Sequence, residues 1–472
     1  SGGWILEAAE NVGGIEPIES FEVLDLLEQL VNKSLVIVED TEIGLRYHML
    51  ESIRQYAQEE LAESGESELI RKRHSLYYLE QSLKSFDALM NLYPPGDWGM
   101  KFKPEADNFR SAWAWAVEYD LINALRFAST FSPDWSQVVP LIEIHRFQEK
   151  VLALATSSTR FLDLEADEGD QRLFSSALIS ASVLSFANRL VPVAAKYAEQ
   201  SAALAGDLGD MPTFVWARSL LSAAASFSGG KEALLKWLDK DYDLVMQYGS
   251  DYTKAISLIR WPTFRFYASG QYDQESLAHW EEGMEMMRRS GNQWLQGNAL
   301  QVAADLSKSR GDLEQAKSLA NQVLEIFIDL GDIYAANPAR SLLADIARQE
   351  GDFHKAADLY RETILVWRDT GRAESGVRTL ESLAFTMHGI SKDEQGEARQ
   401  ARLAYAIILI SAADVVRQRN SLPVNFVDKA DYERELAEIQ AAVGESAFQS
   451  AWQSGQSMDF DQVIIMAREY PN

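Results

Sequence analysis

Aromatic, amide and charged side chains recur in the middle of the chain at positions that one face of successive helices would share. Counted back from the glycines that we assign to helix–helix turns, these positions fall in the first helix of each predicted pair. The set consists of Trp216, Arg260, Phe264, Tyr267, Gln301, Asp305, Lys308, Ser341, Asp345 and Arg348, with Phe385 and His388 in the next pair. Such groups recognise a ligand by stacking, hydrogen bonding and charge. We therefore predict a concave surface that binds a protein, a peptide or a small-molecule inducer.

Three cations stand out in this set. Arg260, Lys308 and Arg348 come from the first helices of three neighbouring pairs, and a helical array would bring them to one surface beside Tyr267. Because the whole chain carries a net charge of −27, a local group of cations favours an anionic or carboxylate-bearing ligand, held by charge-assisted hydrogen bonds.

Two alternatives remain open for these residues. Asp305 and Asp345 lie on the same face and would neutralise the cations within the chain. Trp216 and Phe264 would simply pack between helices. In either case the residues would be structural.

The usual signatures of catalysis and metal binding are absent from the sequence. There is no H-E-x-x-H, G-x-S-x-G or G-x-G-x-x-G motif and no phosphate-binding loop G-x-x-x-x-G-K-[ST]. The chain has no cysteine, and its six histidines show no ligand spacing. We expect no enzymatic activity, no metal and no cofactor in this segment, and a reducing, cytoplasmic location.

A regular glycine spacing indicates the elements that position the predicted surface. Gly291, Gly331 and Gly371 are forty residues apart, and so are the turn signals around Gly311 and Gly351. Each interval has room for a helix of about four turns, and glycine ends a helix with a left-handed backbone at no Cβ cost. A period of this length in a helical pattern predicts an all-α solenoid of roughly six helical pairs.

The predicted units resemble long tetratricopeptide repeats. Leu343, Ala344, Gly351, Ala356 and Tyr360 fall on the small and large consensus positions of that family. We assign residues 104–395 to the repeats and residues 396–472 to a C-terminal helical cap, which an array needs to cover its last apolar face.

Residues 1–63 differ from the repeats. A helix from Phe21 to Val31, strands at 34–38 and 45–50 around an acidic loop, and a helix from Glu51 to Ala62 give the order found in winged-helix domains. This stretch has three basic and fourteen acidic residues, so we expect no direct binding to nucleic acid. The overall charge likewise disfavours anionic membranes. Residues 64–103 are predicted to be a linker helix and a loop.

Four stretches taken together resemble the C-terminal half of bacterial STAND proteins, the signal-transduction ATPases with numerous domains, including large LuxR- and AfsR-like transcriptional regulators. They are residues 2–9 (GGWILEAA), 26–35 with 46–57 (LLEQLVNKSL and RYHMLESIRQYA), 104–112 (PEADNFRSA) and 448–452 (FQSAW). In that family an NTPase core precedes the winged helix and a helical sensor follows it.

The resemblance implies a regulatory role for the chain. The repeats would bind an inducer or partner, and the winged helix would relay that state to an NTPase domain of the same polypeptide. ATP or ADP is expected only with that domain, which we expect to lie upstream of this segment. The alternative is a separate tetratricopeptide scaffold that brings proteins together without a switch.

Overall fold

A computed structural model describes residues 2–41, 44–93, 98–158, 161, 167–188, 190–227, 231–369, 373–419 and 429–470. Within these ranges the chain consists of helices and one two-stranded sheet near its N terminus. The prediction of an all-α helical array is therefore confirmed. No helix in the described ranges is long and apolar enough to cross a membrane.

The N-terminal unit, comprising residues 2–41 and 44–63, combines three helices with a β-hairpin. Its elements are α1 (Leu6–Gly13), α2 (Val23–Asn32), β1 (Ile37–Thr41), β2 (Gly44–His48) and α3 (Glu51–Glu63). The strands are antiparallel and pair Ile37 with His48. Val23, Leu27 and Tyr47 are buried in the small core of this unit.

The predicted order of helix, hairpin and helix is present, but β1 begins later than expected. The amides of Leu35 and Val36 still donate hydrogen bonds to the carbonyl of Leu30, and Ser34 takes a left-handed backbone with φ +60°. This turn ends α2 and delays the strand to Ile37. Part of the predicted acidic loop is consequently strand.

In the described residues between 67 and 227, eight α-helices follow the N-terminal unit. They are α4 (Ser67–Met90), α5 (Trp98–Phe102), α6 (Ala106–Tyr119), α7 (Leu121–Thr130), α8 (Leu141–Thr156), α9 (Glu168–Ala187), α10 (Val191–Asp207) and α11 (Met211–Phe227). The helix predicted from residue 64 is α4, and the predicted irregular pair after Leu121 is α7 and α8. A short 3-10 helix, Pro133–Gln137, separates those two. Buried aromatic side chains fill the core, with Phe109 and Trp135 ring centroids 5.0 Å apart.

In the described residues between 231 and 391, nine helices continue the repeat array. They are α12 (Lys231–Lys236), α13 (Tyr242–Tyr248), α14 (Asp251–Ser269), α15 (Gln274–Arg289), α16 (Gln293–Ser309), α17 (Leu313–Asp329), α18 (Ile333–Gln349), α19 (Phe353–Asp369) and α20 (Ala373–Ser391). Each helix from α14 to α20 packs on the next. Ala316 and Ala356, the small residues expected at close helix approaches, have no exposed surface.

The predicted turn glycines end the helices as expected. Gly311 and Gly351 have φ values of +82° and +83°. Beyond Gly351, the amide of Asp352 donates a 2.9 Å hydrogen bond to the carbonyl of Ala347 and so completes the end of α18. At the other turn, Asp312 follows Gly311, and its side chain caps α17 by accepting a hydrogen bond from the amide of Gln315.

Replacing Gly351 with valine is expected to lower the free energy of unfolding by about 1–3 kcal/mol, because a β-branched residue fits poorly in the left-handed region. An added Cβ would meet no atom within 4 Å, so the cost comes from backbone conformation rather than collision. Ser341→Ala is the control, since the buried Ser341 hydroxyl has no hydrogen-bond partner among the described residues. Equal urea unfolding midpoints for the two variants would contradict the turn assignment.

In the described residues after 395, four helices follow the repeats, and the first of them packs on α20. They are α21 (Gly396–Arg419), α22 (Lys429–Val443), α23 (Glu445–Gln456) and α24 (Phe460–Glu469). The predicted cap helices therefore exist. The closest approach is at Gly455, where an added Cβ would lie 2.5 Å from the carbonyl oxygen of Ile408.

Several sequence predictions fall outside the described residues. They concern the loop at 94–97, the first half of the acidic segment at 163–170, the turns at Arg189, at Gly229 with Gly230 and at Gly371, and the helix break at Leu422 and Pro423. Residues 168–170 of that acidic segment, which the sequence also predicts to be a surface loop, instead begin α9.

Candidate ligand cavity

A cavity of about 380 Å³ lies among the repeat helices and the ends of α8 and α9. It is within the size range of sites that hold small molecules. Its lining comprises Pro133, Ser136, Pro140, Leu141, Ile142, Val183, Phe186, Ala187, Asn188, Trp216, Ser219, Leu220, Ala223, Ser226, Tyr252, Ile256, Arg260, Thr263, Phe264, Tyr267, Met287, Trp294, Leu295, Asn298, Gln301, Val302, Asp305, Phe327, Tyr334, Ala335 and Pro338. Trp216, Arg260, Phe264, Tyr267, Gln301 and Asp305 belong to the predicted site.

The cavity is closed on one side by the segment around Pro133–Gln137. The Ser136 hydroxyl donates a 2.8 Å hydrogen bond to the Asp332 carboxylate, 196 positions away in the sequence. The Trp294 indole N–H donates to the same oxygen at 3.0 Å. The other Asp332 oxygen accepts from the backbone amide of Ala335 at 2.9 Å and caps α18. One buried carboxylate thus ties the covering segment to two repeat helices, so the segment covers part of the predicted concave surface.

Aromatic side chains form much of the apolar wall. Trp216 is 9% exposed, and its ring centroid lies 6.3 Å from that of Tyr252 in an edge-on arrangement. Phe264 packs edge-on against Trp237 at 5.1 Å. Trp216 and Phe264 therefore pack between helices, as the structural alternative predicted, and they also line the cavity.

Arg260 on α14 places a cation in this wall. In the described part of the chain it forms neither an ion pair nor a hydrogen bond, and its guanidinium carbon lies 5.6 Å from the centre of the Phe186 ring. Burial lowers the pKa of Arg260, partly offset by Tyr252, but an arginine remains charged at neutral pH. The wall therefore carries a positive charge without a counterion among the described residues.

Polar groups near Arg260 are incompletely satisfied. The Thr263 hydroxyl and the Gln301 side-chain carbonyl are buried and have no partner among the described residues. The Gln301 amide group donates to Asp305 at 3.1 Å. Burial raises the pKa of Tyr252 to about 12, so its hydroxyl stays protonated and can donate. Unsatisfied buried groups are costly in a native protein, which suggests that a ligand would meet them.

The remaining six predicted residues do not line this cavity. Phe385 packs edge-on against Tyr432 with ring centroids 5.8 Å apart, and His388 lies 3.3 Å from a carboxylate oxygen of Glu435. Lys308 forms an ion pair with Asp345, which also accepts a 2.6 Å hydrogen bond from the Tyr360 hydroxyl. Arg348 lies 3.5 Å from a carboxylate oxygen of Glu435. The Ser341 hydroxyl has no hydrogen-bond partner among the described residues.

The expected gathering of cations does not occur, because two of the three are neutralised within the chain. Burial alone would raise the pKa of Asp345, but Lys308 and Arg378 outweigh it and hold that pKa well below its usual range. Asp345 is thus a firm counterion for Lys308. Of the three cations, Arg260 lines the cavity, whereas Lys308 and Arg348 belong to a separate ion-pair network.

The same network contains three groups with metal-ligand chemistry. Ligand atoms of His388, Glu435 and Glu438 lie within 4.8 Å of one another. Arg348 and Lys392 each come within 3.5 Å of one of the two carboxylates. Because these cations already compensate the acids, the arrangement favours ion pairing over metal binding.

Sequence reasoning missed the side of the cavity that does not come from the repeat pattern. Ser136 belongs to the covering segment and Leu141 begins α8, and no periodicity marks either residue. Tyr252 and Thr263 lie on α14, but outside the positions that we counted back from Gly270. The proline-containing stretch between α7 and α8 was the available signal, and it indicated only an irregular connection.

Fold and cavity define a class: an all-α helical-repeat protein with a partly covered, ligand-sized cavity in the array. No family model matches the chain. Over 266 residues it is 28% identical to proteins of Mycobacterium tuberculosis and Mycobacterium bovis that are provisionally named HTH-type transcriptional regulators. The match covers 53% of this chain and 28% of those relatives. A further 75 residues are 39% identical to an uncharacterized Mycobacterium tuberculosis protein, covering 16% of this chain and 19% of the relative.

Two solved structures share a broadly similar course of helices. One is a STAND protein with a tetratricopeptide repeat sensor from Pyrococcus horikoshii, with TM-score 0.47 and 13% identity over 94% of this chain and 62% of that one. The other is a Rap protein complexed with competence and sporulation factor, with TM-score 0.47 and 13% identity over 81% of this chain and all of that one. Because both TM-scores are below 0.5, the fold is assigned from the helices of this chain and not from these two structures.

Proposed function

We propose that this chain is the ligand-sensing part of a STAND-type transcriptional regulator, in which the cavity binds a small inducer and the N-terminal unit reports its presence. The observation that carries the proposal is the partly covered cavity, whose wall contains Arg260 without a counterion among the described residues. The partial similarity to HTH-type transcriptional regulators supports a regulatory setting. The role is binding rather than catalysis, and ATP or ADP belongs to an NTPase domain of the longer polypeptide.

Helix α4 supplies a physical connection from the cavity to the N-terminal unit. Near its C-terminal end, the Phe86 ring stacks on Trp216 with centroids 6.3 Å apart and planes at 29°. Trp216 in turn lines the cavity. A ligand that displaces the Trp216 ring would therefore act directly on α4.

The other end of α4 is anchored to the N-terminal unit. The Arg73 guanidinium donates hydrogen bonds to the carbonyls of Asn11, Val12 and Gly14 at the end of α1. A cation at this position also complements the partial negative charge of the helix C terminus. The basic residues predicted at the start of α4 thus include one that joins α4 to α1.

A direct test compares hydrogen exchange with and without bound small molecules. The purified chain is incubated with a cell extract of molecules below about 1 kDa, freed of unbound material and examined by mass spectrometry; that mass limit suits a cavity of this size. We expect a retained molecule and altered exchange in α1 to α3. Phe86→Ala should keep the molecule but lose the change in exchange. Leu83→Ala, an exposed position on the same helix, should behave as the unmodified chain.

The proposal has two points of failure. If nothing is retained, the chain is not a small-molecule sensor, and the scaffold alternative, with its protein partners, gains support. If a molecule is retained and Phe86→Ala leaves the exchange response intact, sensing stands but α4 is not the connection.

A further inference from the structure

We propose that the cavity takes an amphipathic monoanion, a carboxylate on a compact apolar body, with the carboxylate bound by Arg260. This inference rests on the proposed function in placing the ligand inside the repeat array. It goes further by assigning the chemical class of the ligand and the residue that selects it.

The contrast with other arginines of the same region supports an anionic ligand. Arg265, also on α14, pairs with Asp273 at 2.9 Å and with Glu275. Arg218 on α11 pairs with Asp241 at 2.6 Å. Acidic residues outnumber basic ones by 71 to 44 in this chain, yet no described acidic residue forms an ion pair with Arg260. Arg260 is partly buried, so its charge has lost part of its hydration and gains from a partner that offsets this desolvation. A bound anion would supply one.

A carboxylate fits better than a phosphate because the charge available is small. Arg260 is the single cation among the described lining residues, and Asp305 at the exposed rim adds a negative charge. A dianion would leave excess charge in an otherwise apolar space. The planar guanidinium matches a carboxylate with two parallel hydrogen bonds. The Tyr252 and Thr263 hydroxyls lie in the same wall of α14 and offer neutral donors.

The rest of the wall calls for an apolar body. Val183, Leu220, Ile256 and Met287 contribute aliphatic surface, and Trp294 contributes an aromatic face. Burial of such surface drives binding in proportion to the area removed from water. A volume of about 380 Å³ lies near the lower end of the range for small-molecule sites. A cavity of this size therefore fits a compact molecule better than an extended peptide.

The test pairs each acid with its neutral amide. The probes are 3-phenylpropionate, indole-3-propionate, octanoate and decanoate, each beside the corresponding primary amide, with dissociation constants from isothermal titration calorimetry. At least one acid should bind the unmodified chain about tenfold more tightly than its amide, equivalent to ~1.4 kcal/mol. Arg260→Gln should abolish that preference and change amide binding by less than about threefold. Arg265→Gln, which removes a charge from the same helix outside the cavity lining, should have no effect.

Three results would overturn the inference. The first is equal affinity of the unmodified chain for acid and amide, and the second is an acid affinity that Arg260→Gln leaves unchanged. The third is no detectable binding of any acid up to about 10 mM, a concentration far above the dissociation constant that a sensor site would require. Retention of a neutral molecule from the extract would leave the proposed sensing function standing in each case. If Arg260→Gln fails to fold, Arg260→Lys decides, because it keeps the charge and loses the planar fork. It should retain only part of the preference, and full retention would contradict bidentate binding.

Discussion

Replacing Arg46 with methionine is expected to lower the free energy of unfolding by about 3–5 kcal/mol, because it leaves a buried carboxylate without its countercharge. Arg46 on β2 forms an ion pair with Glu105, and both are buried. Arg46 also donates to the carbonyls of Gly2 and Pro104 at 3.0 and 3.2 Å. These contacts join the N-terminal unit to the helices that follow it.

Glu105 has further hydrogen bonds that hold its carboxylate in place. The Tyr78 hydroxyl donates to it at 2.5 Å and the Asn108 amide group at 2.7 Å. Asn108 also donates to the carbonyl of Gly3 at 2.8 Å. The Glu105 carboxylate cannot move to solvent without breaking these hydrogen bonds. We therefore expect the full energetic cost of an unpaired buried charge when Arg46 is replaced.

Chemical denaturation of three variants isolates the effect. Arg54→Met removes an arginine of the same unit whose ion pair with Glu51 is exposed, and its unfolding midpoint should match that of the unmodified chain. Arg46→Met combined with Glu105→Gln should recover part of the loss, because no charge is then left unpaired. A midpoint for Arg46→Met equal to that of Arg54→Met would show that the N-terminal unit does not depend on this pair.

The repeat architecture could be predicted because its signals are local and periodic. Gly311 and Gly351 each end a helix with the same left-handed turn. The start of β1 was misplaced for an equally local reason, since the turn at Ser34 extends the end of α2. Such a turn depends on backbone hydrogen bonds that residue types alone do not specify.

The cavity could be predicted only in part, because its closure depends on contacts distant in sequence. Periodic counting along the first helices found Arg260 and Gln301, which do line it. It could not find the bond between Ser136 and Asp332, which joins a non-repeating segment to α18. Nor could it show that Glu435, on the distant cap helix α22, would pair with Arg348.

The second large effect is expected from blocking the cavity. Val302 on α16 is partly buried and lines the space, so Val302→Trp would fill it with a large side chain. We expect retention of small molecules to fall to less than about a tenth of that of the unmodified chain, the loss that excluding a ligand from its pocket should produce. Overpacking is expected to cost about 1–3 kcal/mol of stability, which circular dichroism would monitor.

Gln293→Trp provides a matched control. Gln293 is exposed at the start of the same helix and does not line the cavity. The control adds the same side chain to the protein surface and should retain ligand as the unmodified chain does. Any general effect of an added tryptophan would appear in both variants.

The most direct measurement is native mass spectrometry of the three proteins after identical exposure to the small-molecule extract. The account predicts one small molecule bound to the unmodified chain and to Gln293→Trp, and none bound to a folded Val302→Trp. Equal occupancy of all three proteins by the same molecule would place its binding site outside the cavity and contradict the central claim.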